Sequence, residues 1–333
     1  MEELLFLVDM NQLIKIYYQE SKKLRKILGH ESVISGIDRR KLNNSFSHAN
    51  LIVGADGIGK SVIAKYLSNN IIEPRDGAES VDIVRYYPSS TSFGVDDVRN
   101  IIDEVSKKPY EGDKKVLILY KCDKMTTQAQ NALLKTIEEP PKGVYLILLS
   151  DSLETILDTI QSRCQVYKLT PLSKEDISQY IELNYHDVES SDRKAALAFS
   201  TGIPGKVDKF INDEKLRELR NICIGLFSDI LKREHGLVLK YGESLKNFKD
   251  EKYDLLDILI LFIRDIMVFK ELNNKDLIVN LDKVDNIIQI SRGITYKKLN
   301  SMLEYIKEAR INFNSNTNYS MTVSVMLMGF AEV

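Results

Sequence analysis

The sequence has 333 residues, of which 44% are apolar and 28% charged, with a formal net charge of −2. That length allows two or three domains, each able to bury a core, and the balanced charge excludes binding to nucleic acid through a global basic field, so any DNA contact would come from a local patch. No run reaches the ~18 apolar residues of a membrane span, and the N-terminus opens on Glu2 and Glu3 where a secretory signal would be basic, so the reading is a soluble, cytoplasmic protein.

Taken in chain order, residues 1–24 show helical spacing at Leu13, Ile14, Ile16, Tyr17 and Leu24 and read as an N-terminal helical extension. From Gly29 to about Leu169 the pattern alternates. Strand-like apolar runs at Leu51–Val53, Val81–Tyr87, Val116–Tyr120, Val144–Ser150 and Gln165–Leu169 are separated by helical patterns near 60–70, 95–107, 127–138 and 153–161. Alternation of this kind predicts an α/β domain with a parallel sheet and helices on both faces. Strands that are apolar almost throughout predict that both faces are covered.

After Thr170 the strands stop. Ser173 is placed to cap a helix containing Ile177, Tyr180 and Ile181. A second helix fits 191–200, and Pro204 suits the first turn of a third. The rest reads as helical, most clearly at 214–232, 253–271, 295–311 and 318–330. The division that follows is an α/β domain over 1–169, a helical lid over 170–212 and a helical collar or oligomerisation domain over 213–333. Cys122, Cys164 and Cys223 are widely spaced and form no C-x-x-C motif, which predicts reduced thiols and neither a disulfide framework nor a zinc site.

The most specific motif is Gly54-Ala55-Asp56-Gly57-Ile58-Gly59-Lys60-Ser61, a phosphate loop in its required setting between a strand and a helix. Gly54, Gly57 and Gly59 let backbone N–H groups turn inward around an anion. The new helix adds its positive end, Lys60 would reach the outer phosphates, and Ser61 would help to hold Mg²⁺. The partner strand of such a loop normally ends in carboxylates that hold the metal and activate water. Here it ends in Tyr120 and Lys121, neither of which carries a carboxylate. Asp123 lies three residues past Tyr120, too far to take over simply, and the run ending at Ser150-Asp151 reads better as a sensing strand. Phosphate binding is therefore expected and hydrolysis is not.

The segment from Asp123 to Pro141, DKMTTQAQNALLKTIEEPP, closely resembles the stretch after the partner strand in bacterial DNA polymerase III clamp-loader subunits of the AAA+ class. ILGHESVI at 27–34, SHANLIVGADGIGKS at 47–61 and the triplet Ser162-Arg163-Cys164 resemble further pieces of that family in the same order. The resemblance implies a P-loop AAA+ sheet, a lid and a collar within a hetero-oligomeric ring of motor and delta-type subunits, which acts on a sliding clamp and primed DNA. Motor subunits carry an acidic pair where this chain has Tyr120-Lys121, and a lid arginine where it has Gly205 within Gly202-Ile203-Pro204-Gly205-Lys206. The match is thus to the stationary, non-hydrolysing type. The resemblance further implies that Arg163 reaches the ATP of an adjacent subunit as an arginine finger, no cofactor being required and ATP or ADP binding being weak. It also makes Lys135 a candidate DNA contact.

Alternatives stay open at this stage. Arg163 could be a helix-end arginine paired with carbonyls or a nearby carboxylate, Lys135 could lie on a solvated face, and an ATP-hydrolysing motor or an unrelated P-loop kinase could share the loop. Many relatives carry a four-cysteine zinc module between loop and partner strand. Residues 62–114 contain no cysteine, so zinc is not expected and no metal site is assigned.

Overall fold

The computed structural model describes residues 27–73, 80–89, 92–232, 236–315 and 317–332; the helix expected over 1–24 lies outside them. The chain divides into two compact units at Asp176–Ile177.

The first unit is an α/β layer structure. It opens with α1 (Glu31–Leu42), β1 (Ala49–Val53), α2 (Lys60–Ile72), β2 (Ile83–Tyr86) and α3 (Val95–Val105). It continues with β3 (Lys115–Leu119), a 3-10 turn at Cys122–Lys124, α4 (Thr127–Glu138), β4 (Val144–Ser150), the short α5 (Asp158–Gln161) and β5 (Gln165–Lys168). The five strands pair in the order β2-β3-β4-β1-β5, and each ladder is parallel. Every residue of β1 and β3 is buried, as expected where helices cover both faces. One face packs Leu51, Leu117, Leu119, Leu146 and Leu148 against Val98, Ile101, Ala129, Leu133 and Ile160. The intervening Ile52, Val116, Ile118 and Ile147 are also buried and point to the other face.

Strand positions agree with the sequence reading to within two residues. The helix expected over 153–161 is reduced to its last turn, because Gln161 and Gln130 hydrogen-bond the backbone of 153–157 and hold it as irregular loop. Lys115 departs most from its type. It lies fully buried at the start of β3, its ammonium on a Glu104 carboxylate oxygen at 2.5 Å and on the Glu104 carbonyl at 3.0 Å. A buried lysine is tolerable only when paired in this way.

The second unit is helical. It comprises α6 (Lys174–Asn184, whose first turn belongs to the first unit), α7 (Ser190–Ser200), α8 (Pro204–Asn212), α9 (Glu214–Lys232), α10 (Leu237–Leu245), α11 (Lys252–Leu272), α12 (Val284–Gly293), α13 (Tyr296–Asn314) and α14 (Tyr319–Glu332). Ser173 does cap α6. Its hydroxyl accepts from the Asp176 N–H at 3.0 Å and donates to the Asp176 carboxylate at 2.9 Å. Pro204 occupies the first turn of α8. Helices α10 and α12 lie in the stretch expected to be helical but between its clearest segments; each is short, at 9 and 10 residues, which gives periodicity little to register.

Candidate functional site

The strand order assembles the phosphate loop. β4 lies between β1 and β3, with Val53 opposite Ser150 and Leu119 opposite Leu148. The residues just past these three strand ends are therefore neighbours, although they stand at 54, 121 and 151 in the sequence. Gly57 and Gly59 have φ of 77° and 108°, values that side chains with a Cβ rarely adopt, and this turns the loop into the start of α2. Among the described residues no group accepts from the backbone N–H of Gly59, Lys60 or Ser61, so these donors remain for an anion at the helix's positive end. From above, His30 Nε2 lies 3.1 Å from the Ile58 carbonyl. Ser61 is exposed at the start of α2.

Lys60 is 8% exposed. Its ammonium donates to the carbonyls of Gly54 at 2.8 Å and Ala55 at 2.9 Å and pairs with Asp151 Oδ1 at 2.7 Å. Lys121 completes a chain of charge. It lies 3.5 Å from Asp151 Oδ2 and 3.2 Å from Asp56 Oδ1, in the loop itself. Burial works against the charged form of Lys121, but the two carboxylates outweigh it and hold its pKa above the usual lysine value. Burial likewise opposes ionisation of Asp56, and Lys121, Lys60 and the Gly57 N–H together override it, so Asp56 sits below the usual carboxylate range.

The end of β3 is built unlike a hydrolytic site. Tyr120 stacks on Tyr87, ring centroids 4.3 Å apart and 15° from parallel, and so caps the ends of β2 and β3 with aromatic surface. Lys121 adopts a left-handed backbone, φ 55° and ψ 45°, a conformation that costs a lysine on the order of 1 kcal/mol. The turn it makes folds Asp123 back to the sheet, where its carboxylate accepts from the Asp151 N–H at 3.3 Å. Asp123 thus steadies the backbone of Asp151, a contact that sequence distance gave no reason to expect.

Arg163 occupies the opposite end of the sheet. It lies between α5 and β5, and β5 is an edge strand paired with β1 alone, Gln165 opposite Asn50 and Lys168 opposite Val53. Arg163 therefore sits beyond the end at which β1 begins, whereas the loop leaves where β1 finishes. Four residues separate Asn50 from Gly54, about 13 Å along the strand. Arg163 is exposed. Its Nε pairs with Glu138 at 2.6 Å, and Nη1 donates to the Thr159 carbonyl at 3.0 Å and to the Ser162 hydroxyl at 3.3 Å. Among the described residues Nη2 has no partner, so part of the exposed guanidinium fork is unused. The helix-end contacts weighed in the sequence reading are present, and the fork is only partly used by them. Cys164, half-buried beside it, is pushed up to about 12 by burial.

Lys135 is exposed on α4, three residues before Glu138. In the second unit, Lys206 of the lid motif pairs with Asp257 at 2.8 Å and lies 5.6 Å from the centre of the Phe199 ring. Arg310 joins the same carboxylate at 2.5 Å and Lys209 pairs with Asp254 at 2.5 Å. The basic residues of α8 thus fasten it to α11. Among the described residues no group of three or more His, Cys, Asp or Glu side chains is arranged to hold a metal ion, and no helix is long and apolar enough to cross a membrane.

Two family models match the chain. One, described as DNA polymerase III, delta subunit, covers residues 29–173; the other, described as DNA polymerase III, delta subunit, C terminal, covers residues 239–331. The chain is 27% identical to the DNA polymerase III subunit delta' of Bacillus subtilis, over 82% of this chain and 87% of that one. It is 25% identical to the subunit delta' of Haemophilus influenzae, over 85% and 82% respectively. To the subunit tau of Bacillus subtilis it is 24% identical, over 86% of this chain and 58% of that one.

Proposed function

Because the chain is of the DNA polymerase III clamp-loader family and most like its delta-prime subunits, we propose that it is the stationary member of a cytoplasmic clamp-loader ring, helping to place a sliding clamp on primed DNA in replication. It turns over no ATP itself and supplies Arg163 to the ATP site of an adjacent motor subunit. One observation carries this reading: Arg163 and the phosphate loop lie at opposite ends of the same parallel sheet. An arginine so placed does not reach its own loop, and its unused edge is available to another chain. Arginine suits the task because it is always charged and its planar fork matches phosphate oxygens.

The absence of turnover follows from β3. Phosphoryl transfer needs metal-held charge and a group to orient water, and Tyr120 and Lys121 supply neither. Where a motor-type subunit carries a lid arginine this chain has Gly205, and the adjacent Lys206 is engaged by Asp257. Lys135, exposed on α4, adds a phosphate contact in the ring, so Lys135→Ala lowers the salt slope of DNA binding by about one.

The test is reconstitution. The pure chain should show no ATP turnover above background. A ring assembled with Arg163→Ala should form normally and hydrolyse ATP more slowly with primed DNA and clamp. Equal rates with wild-type and mutant chain would reduce Arg163 to a helix-end arginine. Turnover by the pure chain that vanishes in Lys60→Ala would favour a motor subunit.

A further inference from the structure

Magnesium is the ion that a phosphate loop implies, and the residues here do not fit it. The strand-end position for a metal carboxylate is taken by an ammonium, Lys121, and the two nearest carboxylates, Asp56 and Asp151, are both engaged by it. A divalent cation brought to the same place would meet a fixed like charge. At the same time the site already holds an anion. The Asp151 carboxylate bridges Lys60 and Lys121, one oxygen to each ammonium, beside loop N–H groups that have no acceptor among the described residues.

We propose that this loop binds the phosphates of a nucleoside triphosphate without a metal ion, Lys121 standing in for magnesium and Asp151 acting as a resident anion that the incoming phosphate displaces. The geometry fits displacement. The Asp151 backbone is fixed by β4 and by Asp123, whereas its side chain is 31% exposed, so a χ rotation alone vacates the space between the two lysines. A triphosphate offers more oxygens and more charge than one carboxylate and can also take the N–H groups of Gly59, Lys60 and Ser61, which Asp151 leaves unused. Lys121 holds its proton throughout the neutral range, as its raised pKa requires. The inference is independent of the role given to Arg163, and its test uses the isolated chain.

The experiment is calorimetric titration of ATP into the full-length chain, once with EDTA and once with excess magnesium, for wild type, Asp151→Asn and Lys121→Glu. Wild type should bind weakly, with affinities in the two buffers agreeing within about twofold. Asp151→Asn keeps the shape and removes the competing charge, so binding in EDTA should tighten about tenfold, the equivalent of one modest charge interaction. Lys121→Glu returns a carboxylate to the strand end, and binding should then depend on magnesium. Thermal melts show whether each variant is folded, and Lys121→Met serves as a second variant at that position, expected to lose binding in EDTA. Wild-type binding that tightens tenfold or more on adding magnesium overturns the proposal. So does an Asp151→Asn chain that binds no better than wild type, or the lack of binding to any of these folded proteins at millimolar ATP. None of these results bears on whether Arg163 acts on a neighbour.

Discussion

The two ends of one sheet treat a basic residue in opposite ways. At the loop end, Lys60 is enclosed, with two carbonyls and a carboxylate on one ammonium, and its carboxylate partner is shared with Lys121. At the other end, Arg163 is exposed and keeps part of its guanidinium unused. The lysine of a motif that reads as a site in the sequence is thus engaged within the chain, while the arginine of a short polar triplet is displayed. Motif strength reports what a backbone can bind, whereas availability is set by the groups that the fold brings against it.

The largest effect expected from this contrast is functional. In a reconstituted ring at equal assembly, Arg163→Ala should lower ATP turnover, and Lys60→Ala should leave it unchanged. An arginine acting in trans contributes on the order of 10³ or more at the site it faces, and the bulk defect should be smaller because other sites in the ring continue. Arg163→Lys should not rescue, since lysine lacks the fork. Comparable loss from both alanine variants would break the comparison.

Stability should reverse the order. Lys60→Ala leaves the Gly54 and Ala55 carbonyls and one Asp151 oxygen without their buried partner, which costs about 1–3 kcal/mol. Arg163→Ala removes an exposed pair, worth about 0–1 kcal/mol once solvent screening is allowed for. Urea unfolding of the isolated chain checks this; an equal or larger loss for Arg163→Ala would show that its contacts with Glu138 and Thr159 are structural.

The pH response should mark the loop end as well. Asp56 has a lowered pKa, so its contribution is fully present above its ordinary value of 3.8 and is lost as pH falls below it. Lys121 has a raised pKa, so its contribution is fully present below 10.5 and is lost as pH rises past that. The charge chain should therefore be constant through the neutral range and loosen at both extremes. Hydrogen exchange of the loop amides over pH reads this, and a midpoint near neutrality would contradict it.

The smallest effect is chemical. Burial pushes Cys164 up to about 12 and pushes Cys122 and Cys223 higher still. At pH 8 all three should react slowly with a thiol reagent and rapidly after unfolding, because the thiolate is the nucleophile. Fast native labelling of Cys164 would mean that the corner beside Arg163 opens more readily than the loop end.

Much of the protein was legible in the sequence. Alternating apolar runs gave the parallel sheet, because strands buried on both faces must be apolar throughout. Ser173 and Pro204 marked helix starts by their chemistry. The glycine spacing gave the loop, and the chain from Asp123 to Pro141 gave the family. Sequence alone determined these features because each depends on local backbone preference or on a contiguous pattern. The strand order was decided by tertiary structure. Placing β4 between β3 and β1 set Asp151 against both Lys60 and Lys121, and placing β5 at the edge beside β1 carried Arg163 to the end remote from the loop. A lysine reads as one charge in a sequence. Whether that charge is enclosed, as at Lys115 and Lys60, or held out to solvent depends on which distant carboxylates the packed strands deliver, since burial without such a partner costs more than the fold can offset.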